Sequence, residues 1–152
     1  TGGPENTWLV FVLDYPPYTV MRYVSVAIWL VALAHTLTAK RRSLVERSYM
    51  MVGTFLFGSW VFTPQMVLWL LPFLACLNVL PQLAFTIFDL SNAAIMLFFF
   101  QFTNQFSAGS PIQWINLLRV AILAGSLVPF FAGKSASQII DWLKAPFSRD
   151  TT

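Results

Sequence analysis

Two arginines lie inside apolar stretches of this sequence, where a charged side chain needs a partner. Arg22 is near the start of the first apolar segment, and Arg119 is in the first half of the last one. Charges at membrane depth are costly and usually face a cavity or another protein segment. Because a guanidinium binds phosphate oxygens through paired hydrogen bonds, the two arginines predict a site for an anion such as a lipid phosphate. Two alternatives stay open: Arg22 could extend to the lipid headgroups, and Arg119 could pair with another segment.

Asp89 is the one acidic residue well inside an apolar segment, and Asn92 follows it on the same segment. A protonated Asp89 could form a hydrogen bond to a neighbouring helix. Alternatively, the two polar side chains could belong to a proton relay or a substrate pathway. Asp89 does not lie at the depth of Arg119, so the sequence does not predict an ion pair between them.

Other kinds of chemistry have little support in the sequence. His35 and Cys76 are the only residues of their types, so neither a bis-histidine haem nor a metal site is predicted, and an internal disulfide is impossible. Nucleotide-binding loops and the nucleophile elbow of hydrolases are also absent from the sequence. We therefore predict no cofactor, and we assign no catalytic residue.

The apolar runs around these residues predict an integral membrane protein. The 152 residues are 57% hydrophobic and 10% charged, whereas soluble domains carry about 25% charged residues. We predict an all-α, polytopic transmembrane helix bundle with five membrane segments. A full span needs roughly 20 residues, so the short second and third segments need flanking residues or form a hairpin below the surface. The predicted segments are Val20–Leu37, Ser48–Phe62, Met66–Leu80, Leu83–Phe102 and Ile112–Ala132.

The basic residues predict how the bundle is oriented. Apart from Arg22 and Arg119, they fall between the first two segments and after the fifth, two regions that five spans place on one side. The positive-inside rule makes that side cytoplasmic, together with the C-terminus. The sequence therefore predicts an outer-face segment (1–19), a transmembrane bundle (20–132) and a cytoplasmic amphipathic tail (133–152), in a cell membrane or an ER-type membrane. The basic residues concerned are Lys40, Arg41, Arg42, Arg47, Lys134, Lys144 and Arg149.

The tail predicts a short helix, because Ser135 could cap it and apolar residues recur on one face. This helix would either lie in the membrane interface or pack on the bundle. The apolar residues are Ile139, Ile140, Leu143 and Phe147. Although the net charge is +3, we predict no nucleic-acid partner, since the basic tracts are short and adjoin apolar runs.

A turn of Thr63, Pro64 and Gln65 opens onto a run that contains Trp69 and a further proline, Pro72. The string VFTPQ followed by LWLLP resembles a pattern in integral-membrane glycosyltransferases of the C superfamily, in the mannosyl- and arabinosyltransferase branch that uses polyprenol-phosphate sugars. The preceding basic loop and helix fall in the same order as in that family. The resemblance covers about residues 6–80, the counterpart of that family's C-terminal portion.

The resemblance implies transfer of a sugar from a lipid-phosphate donor on the outer face of the membrane. Thr63 and Gln65 would then line the donor cavity, with Trp69 packed below. The roles of Arg22 and Arg119 at the phosphate are our own inference from depth. The family's catalytic acid lies in a first outer loop that has no counterpart here, so other membrane chains or an N-terminal portion would complete the enzyme.

Three alternatives compete with this interpretation. The chain could be a non-catalytic polytopic subunit of a larger membrane complex. It could be part of a transporter or channel that uses Asp89 and Asn92. The turn itself could be structural, with Pro64 ending one helix and Gln65 capping the next.

Overall fold

The computed structural model describes residues 17–39, 42–59, 63–98 and 110–144. These residues form helices joined by short connections, with no strand among them, which confirms the all-α prediction. The helices are α1 (Tyr18–Thr38), α2 (Leu44–Gly58), α3 (Pro64–Val67), α4 (Leu71–Leu77), α5 (Gln82–Phe98), α6 (Pro111–Phe131) and α7 (Ala136–Lys144).

Two of the described helices are long and apolar enough to cross a membrane. They are α1, over Thr19–Thr38, and α6, over Pro111–Phe131. The shorter α5 has 17 residues and α2 has 15. A bundle of five spans is therefore not confirmed.

The third predicted segment, Met66–Leu80, is not one helix. A turn over residues 68–70 separates α3 from α4. Pro72 lies in the first turn of α4, where a missing N–H is harmless but a continuing helix would lose a hydrogen bond. Asn78 then ends α4 in a left-handed conformation, with φ 49°. Two short helices therefore replace the predicted segment.

The second predicted segment begins earlier than the apolar run indicates, at Leu44. The Ser43 side chain accepts a hydrogen bond from the Glu46 backbone N–H (3.2 Å), and Oε2 of Glu46 accepts one from the Ser43 N–H (3.0 Å). This capping box satisfies donors that a helix N-terminus otherwise leaves unpaired. Ser43 thus caps α2, and Glu46 and Arg47 lie in its first turn.

The helices pack around α2 and α6. Helix α2 contacts α1, α4 and α6, α5 contacts α6, and α3 contacts α5. Gly53 lies where α2 meets α6, and a Cβ there would be 2.8 Å from Cδ2 of Leu127. The glycine therefore permits the close approach of these two helices. The most completely enclosed core side chains include Tyr49, Met50, Leu56, Leu123 and Phe130.

Candidate functional site

The interior face of α6 carries a row of polar side chains. Gln113, Asn116 and Arg119 recur at helical spacing and are 0%, 1% and 0% exposed. Residues three apart share one helix face, and here that face points into the bundle. Ser110 precedes the helix and caps it: its hydroxyl accepts a hydrogen bond from the Ile112 N–H at 3.3 Å. The first half of α6 is thus a polar interior surface.

Arg119 reaches the turn that carries the family resemblance. Its Nη2 donates a hydrogen bond to the Thr63 carbonyl oxygen, 3.4 Å away across 56 residues of sequence. The same carbonyl accepts the first helical hydrogen bond of α3, from the Met66 N–H at 3.1 Å. Arg119 therefore ties α6 to the N-terminus of α3 and positions the turn from inside.

The other side chains predicted to bind the donor lie on the surface. Gln65 is exposed at the start of α3, and Trp69 is 53% exposed, with its ring centroid 6.2 Å from that of Phe55. Arg22 is exposed on α1. The structure thus brings Arg119 and Thr63 together and leaves Gln65, Trp69 and Arg22 accessible. A phosphate outside the bundle can reach Arg22, but it cannot reach Arg119 in this arrangement.

The two intramembrane polar residues predicted on α5 do not join Arg119. Asp89 is exposed, on the side of α5 away from the buried Phe88 and Ser91. Asn92 is half-buried, and its Oδ1 atom accepts no hydrogen bond from the described residues. Asp89 is therefore an outward-facing acid.

A second polar cluster, which the sequence interpretation missed, lies where α1 passes to α2 and α6 passes to α7. Arg42 donates hydrogen bonds to the carbonyl oxygens of Lys134 (2.8 Å) and Phe130, and its guanidinium lies 5.5 Å from the centroid of the Phe130 ring. Cations are favoured at helix C-termini, where carbonyl groups lack helical partners. Arg42 therefore caps the C-terminus of α6.

Glu46 completes this cluster by serving two helices. Its Oε2 belongs to the capping box of α2, while its Oε1 accepts a hydrogen bond from the Ala136 N–H at 2.7 Å. Ala136 is the first residue of α7, so one carboxylate satisfies donors at two helix N-termini. At 7% exposure, Glu46 is nearly enclosed. We call Arg42, Glu46 and their main-chain partners the helix-end junction.

A cavity of about 600 Å³ adjoins the helix-end junction, and its lining includes the polar side chains of His35, Thr38 and Gln138. The charged groups that line it, Arg42 and Glu46, are held by the main chain as described. No group of three His, Cys, Asp or Glu side chains within the described ranges is placed to hold a metal ion. The cavity thus belongs to the helix-end junction.

Helix α7 packs on the bundle through one face. Ser135 precedes it and accepts a hydrogen bond from the Gln138 N–H (3.4 Å), as the sequence indicated. Ile139 is 3% exposed and belongs to the core. Trp142 is 63% exposed, with Nζ of Lys134 5.4 Å from its ring centroid. Of the two arrangements that the sequence left open for this helix, packing on the bundle describes the inner face of α7. Phe147 lies outside the described residues.

Comparisons with protein-family models, with curated proteins and with solved structures find no match to this chain. The resemblance to the C-superfamily glycosyltransferases therefore stays a prediction from the sequence.

Proposed function

We propose that this chain is the C-terminal membrane part of a glycosyltransferase that takes its sugar from a lipid-phosphate donor. The observation that carries the proposal is the contact between Arg119 and the Thr63 carbonyl. It shows that the turn that resembles the transferase motif is held by a fully enclosed cation on a helix long enough to span the membrane. A turn fixed in this way can present its neighbouring side chains at one depth.

Within this proposal the predicted residues divide their roles. Arg119 is a positioning residue, because it touches the turn and not the surrounding medium. Gln65, in the turn, and Trp69, which follows it, are both exposed and contact the donor lipid. Exposed Arg22 binds the phosphate, for which a guanidinium offers paired donors.

The proposed membrane placement follows from the two ends of α6. Arg42, Arg47 and Lys134 lie near the helix-end junction, so the positive-inside rule makes that end cytoplasmic. Helices α1 and α6 cross the membrane. Helices α2 and α5 lie beside them, because α2 packs on both of these helices and α5 packs on α6. The chain is then a multi-pass protein with α7 on the cytoplasmic side and the Thr63 turn towards the outer face.

The chemistry needs a base and a stabilised leaving group. Sugar transfer to a hydroxyl requires a general base on the acceptor, while the departing lipid phosphate needs a cation. Arg22 supplies the cation in our proposal. We assign the base to another part of the enzyme. Of the described acids, Glu46 is bound to the main chain, and Asp89 and Asp141 lie on α5 and α7, whereas Arg22 is on α1.

The test is binding of a polyprenyl monophosphate to the full chain in lipid nanodiscs, with the corresponding polyprenol as the ligand without phosphate. We expect Arg22→Ala to weaken binding of the phosphate about tenfold, as loss of a charged hydrogen bond implies, and to leave polyprenol binding unchanged. Leu30→Ala, at a position 60% exposed on the same helix, is the control. Equal binding of polyprenol and its phosphate by the wild type would refute the proposal.

A second candidate function is a non-catalytic subunit of a membrane complex. The surface that a protein partner would cover is the outward side of α5, where Leu83 and Leu90 are 72% and 64% exposed. Exposed leucines suit lipid or a protein partner equally well, so the binding experiment decides. A wild-type chain that binds neither polyprenol nor its phosphate would favour the subunit.

A further inference from the structure

The outward side of α5 carries a polar and small-residue stripe. Gln82, Thr86, Asp89 and Ala93 are all exposed and recur at spacings of three and four residues, which places them on one helix face. We call these four residues the Asp89 face. Leu90, 64% exposed, borders it. The stripe lies opposite the buried Phe88, Ser91 and Ile95.

Asp89 lies at membrane depth on the placement proposed above. Helix α5 packs against α6, which is long and apolar enough to span the membrane. Asp89 is near the middle of α5, far from either end of the helix. Its carboxyl group is therefore exposed on the surface of the bundle that faces the lipid, at the depth of the hydrocarbon.

An ionisable side chain does not remain in contact with lipid tails at that depth. Such residues face a protein or a water-filled cavity and pair with an opposite charge or a polar group. Helix interfaces in membranes are rich in small residues and in hydroxyl or amide side chains, because these allow close approach and interhelical hydrogen bonds. The Asp89 face has both kinds of residue beside its carboxyl group.

We propose that the Asp89 face binds a further transmembrane helix that carries a lysine or arginine at the depth of Asp89. Charge complementarity selects the cation. A second copy of the described part of this chain does not supply it. Arg119 is enclosed, and the other described cations lie at or near helix ends: Arg22, Arg42, Arg47, Lys134 and Lys144. The stretches of this sequence outside the described ranges have at most 16 residues in a row, fewer than the roughly 20 that a full span needs. The partner is therefore a transmembrane helix of a different polypeptide.

This inference rests on the membrane placement in the proposed function and holds for a transferase part and for a subunit alike. The first experiment tests the placement. The full chain carrying Cys76→Ser and Ala93→Cys is placed in phosphatidylcholine vesicles and reacted with a membrane-impermeant maleimide. The reagent is supplied both outside and inside the vesicles. We expect protection in the bilayer and labelling in detergent. Ser137→Cys, exposed on α7, is the reactive control, and equal labelling of both in vesicles would overturn the placement and the inference with it.

The second experiment tests the partner chemistry alone. Two designed polyleucine transmembrane peptides are compared, one with a central arginine and one with leucine at that position. Each is mixed in vesicles with the full chain carrying a fluorescent label, and association is followed by fluorescence energy transfer. We expect the arginine peptide to bind about fivefold more tightly, in the range of single interhelical polar contacts. Asp89→Leu should abolish this difference, and Ala93→Phe should weaken association by blocking close approach.

The control variant is Val128→Phe, on the exposed side of α6 and 62% exposed, which should change nothing. Equal association of the two peptides with the wild type would overturn the inference while leaving lipid-phosphate binding, and so the proposed function, intact. An arginine preference that survives Asp89→Leu would overturn it as well.

Discussion

Arg42 and Arg119 make the same kind of contact in two different settings. Each guanidinium donates to main-chain carbonyl groups of a distant segment, Arg42 at the C-terminus of α6 and Arg119 at the N-terminal end of α3. At a helix C-terminus the macrodipole favours a cation, whereas at an N-terminus it does not. Arg42 is also half-buried, while Arg119 is 0% exposed. The helix dipole and the partial contact with solvent therefore help Arg42, and Arg119 depends on its protein contacts alone.

Two charged side chains hold the helix ends at one end of the bundle, whereas one enclosed arginine holds the Thr63 turn. The helix-end junction adds Glu46 to Arg42, so that helix ends of α2, α6 and α7 share two charged side chains. The opposite end places an enclosed cation beside a single turn. Four measurements test this contrast.

The largest effect is expected from removing the enclosed cation. Arg119→Ala should destabilise the protein by about 3 kcal/mol, because it removes a fully buried side chain and its charged hydrogen bond. The measurement is thermal unfolding in detergent, together with hydrogen exchange at the Met66 amide in the turn. Arg119→Lys keeps the charge and should recover part of the loss. A loss below about 1 kcal/mol for the alanine variant would mean that Arg119 is not held as tightly as we infer.

Glu46→Ala should have the next largest effect, about 2 kcal/mol, because it leaves donors at two helix N-termini without their acceptor. Exchange of the Ala136 amide should accelerate, and α7 should become sensitive to protease. Glu46→Gln keeps one acceptor oxygen and should lie between the wild type and the alanine variant. Asp141→Asn, at an exposed position on α7, serves as the control. Unchanged exchange at Ala136 would contradict the shared cap.

Arg42→Ala should cost less, about 1 kcal/mol, because water can replace part of its contact with the carbonyl groups. The effect should also shrink as salt is raised, since exposed electrostatic contacts are screened and enclosed ones are not. Unfolding at low and high salt for Arg42→Ala and Arg119→Ala measures the contrast directly. The contrast fails if the two variants show the same salt dependence.

The smallest expected quantity is the coupling between the two ends. Arg119 and Phe130 are separated by about 16 Å along α6 at 1.5 Å per residue, and distant sites usually add within about 0.5 kcal/mol. The double variant Arg42→Ala with Arg119→Ala should therefore lose the sum of the single losses. A coupling free energy above 1 kcal/mol lies outside the range for independent sites. It would show that a change at one of these two arginines is transmitted along α6 to the other.

The sequence predicts much of the helical architecture but not the direction in which each polar residue points. Apolar runs and end signals locate α1, α5 and α6, and Ser135 locates the start of α7. Hydropathy treats Arg119 and Asp89 alike, as polar residues within apolar helices. One is enclosed and the other exposed, because the rotation of each helix is set by its neighbours and not by its own composition.

The other differences have both local and long-range causes. The Ser43 to Glu46 capping box is a local pattern that the sequence contains. The predicted segment nevertheless begins at Ser48, because it is placed by the apolar run, which begins after the capping box. The second partner of Glu46 lies 90 residues away, and Phe130 lies 88 residues from Arg42. No local spacing indicates such pairs. Pro72, by contrast, was a readable sign that the third segment is broken.

The two oxygens of Glu46 also imply an order of assembly. Its contact with Ser43 closes within one helical turn, so it can form as soon as that part of the chain has been synthesised. The contact with Ala136 has to wait for the chain that follows. When α7 docks, the capping box has already oriented the Glu46 carboxylate. The conformational entropy of ordering that side chain is therefore not lost a second time when α7 binds. By the same reasoning, α7 can detach while α2 stays capped, which makes it a natural first unit to open when the protein unfolds.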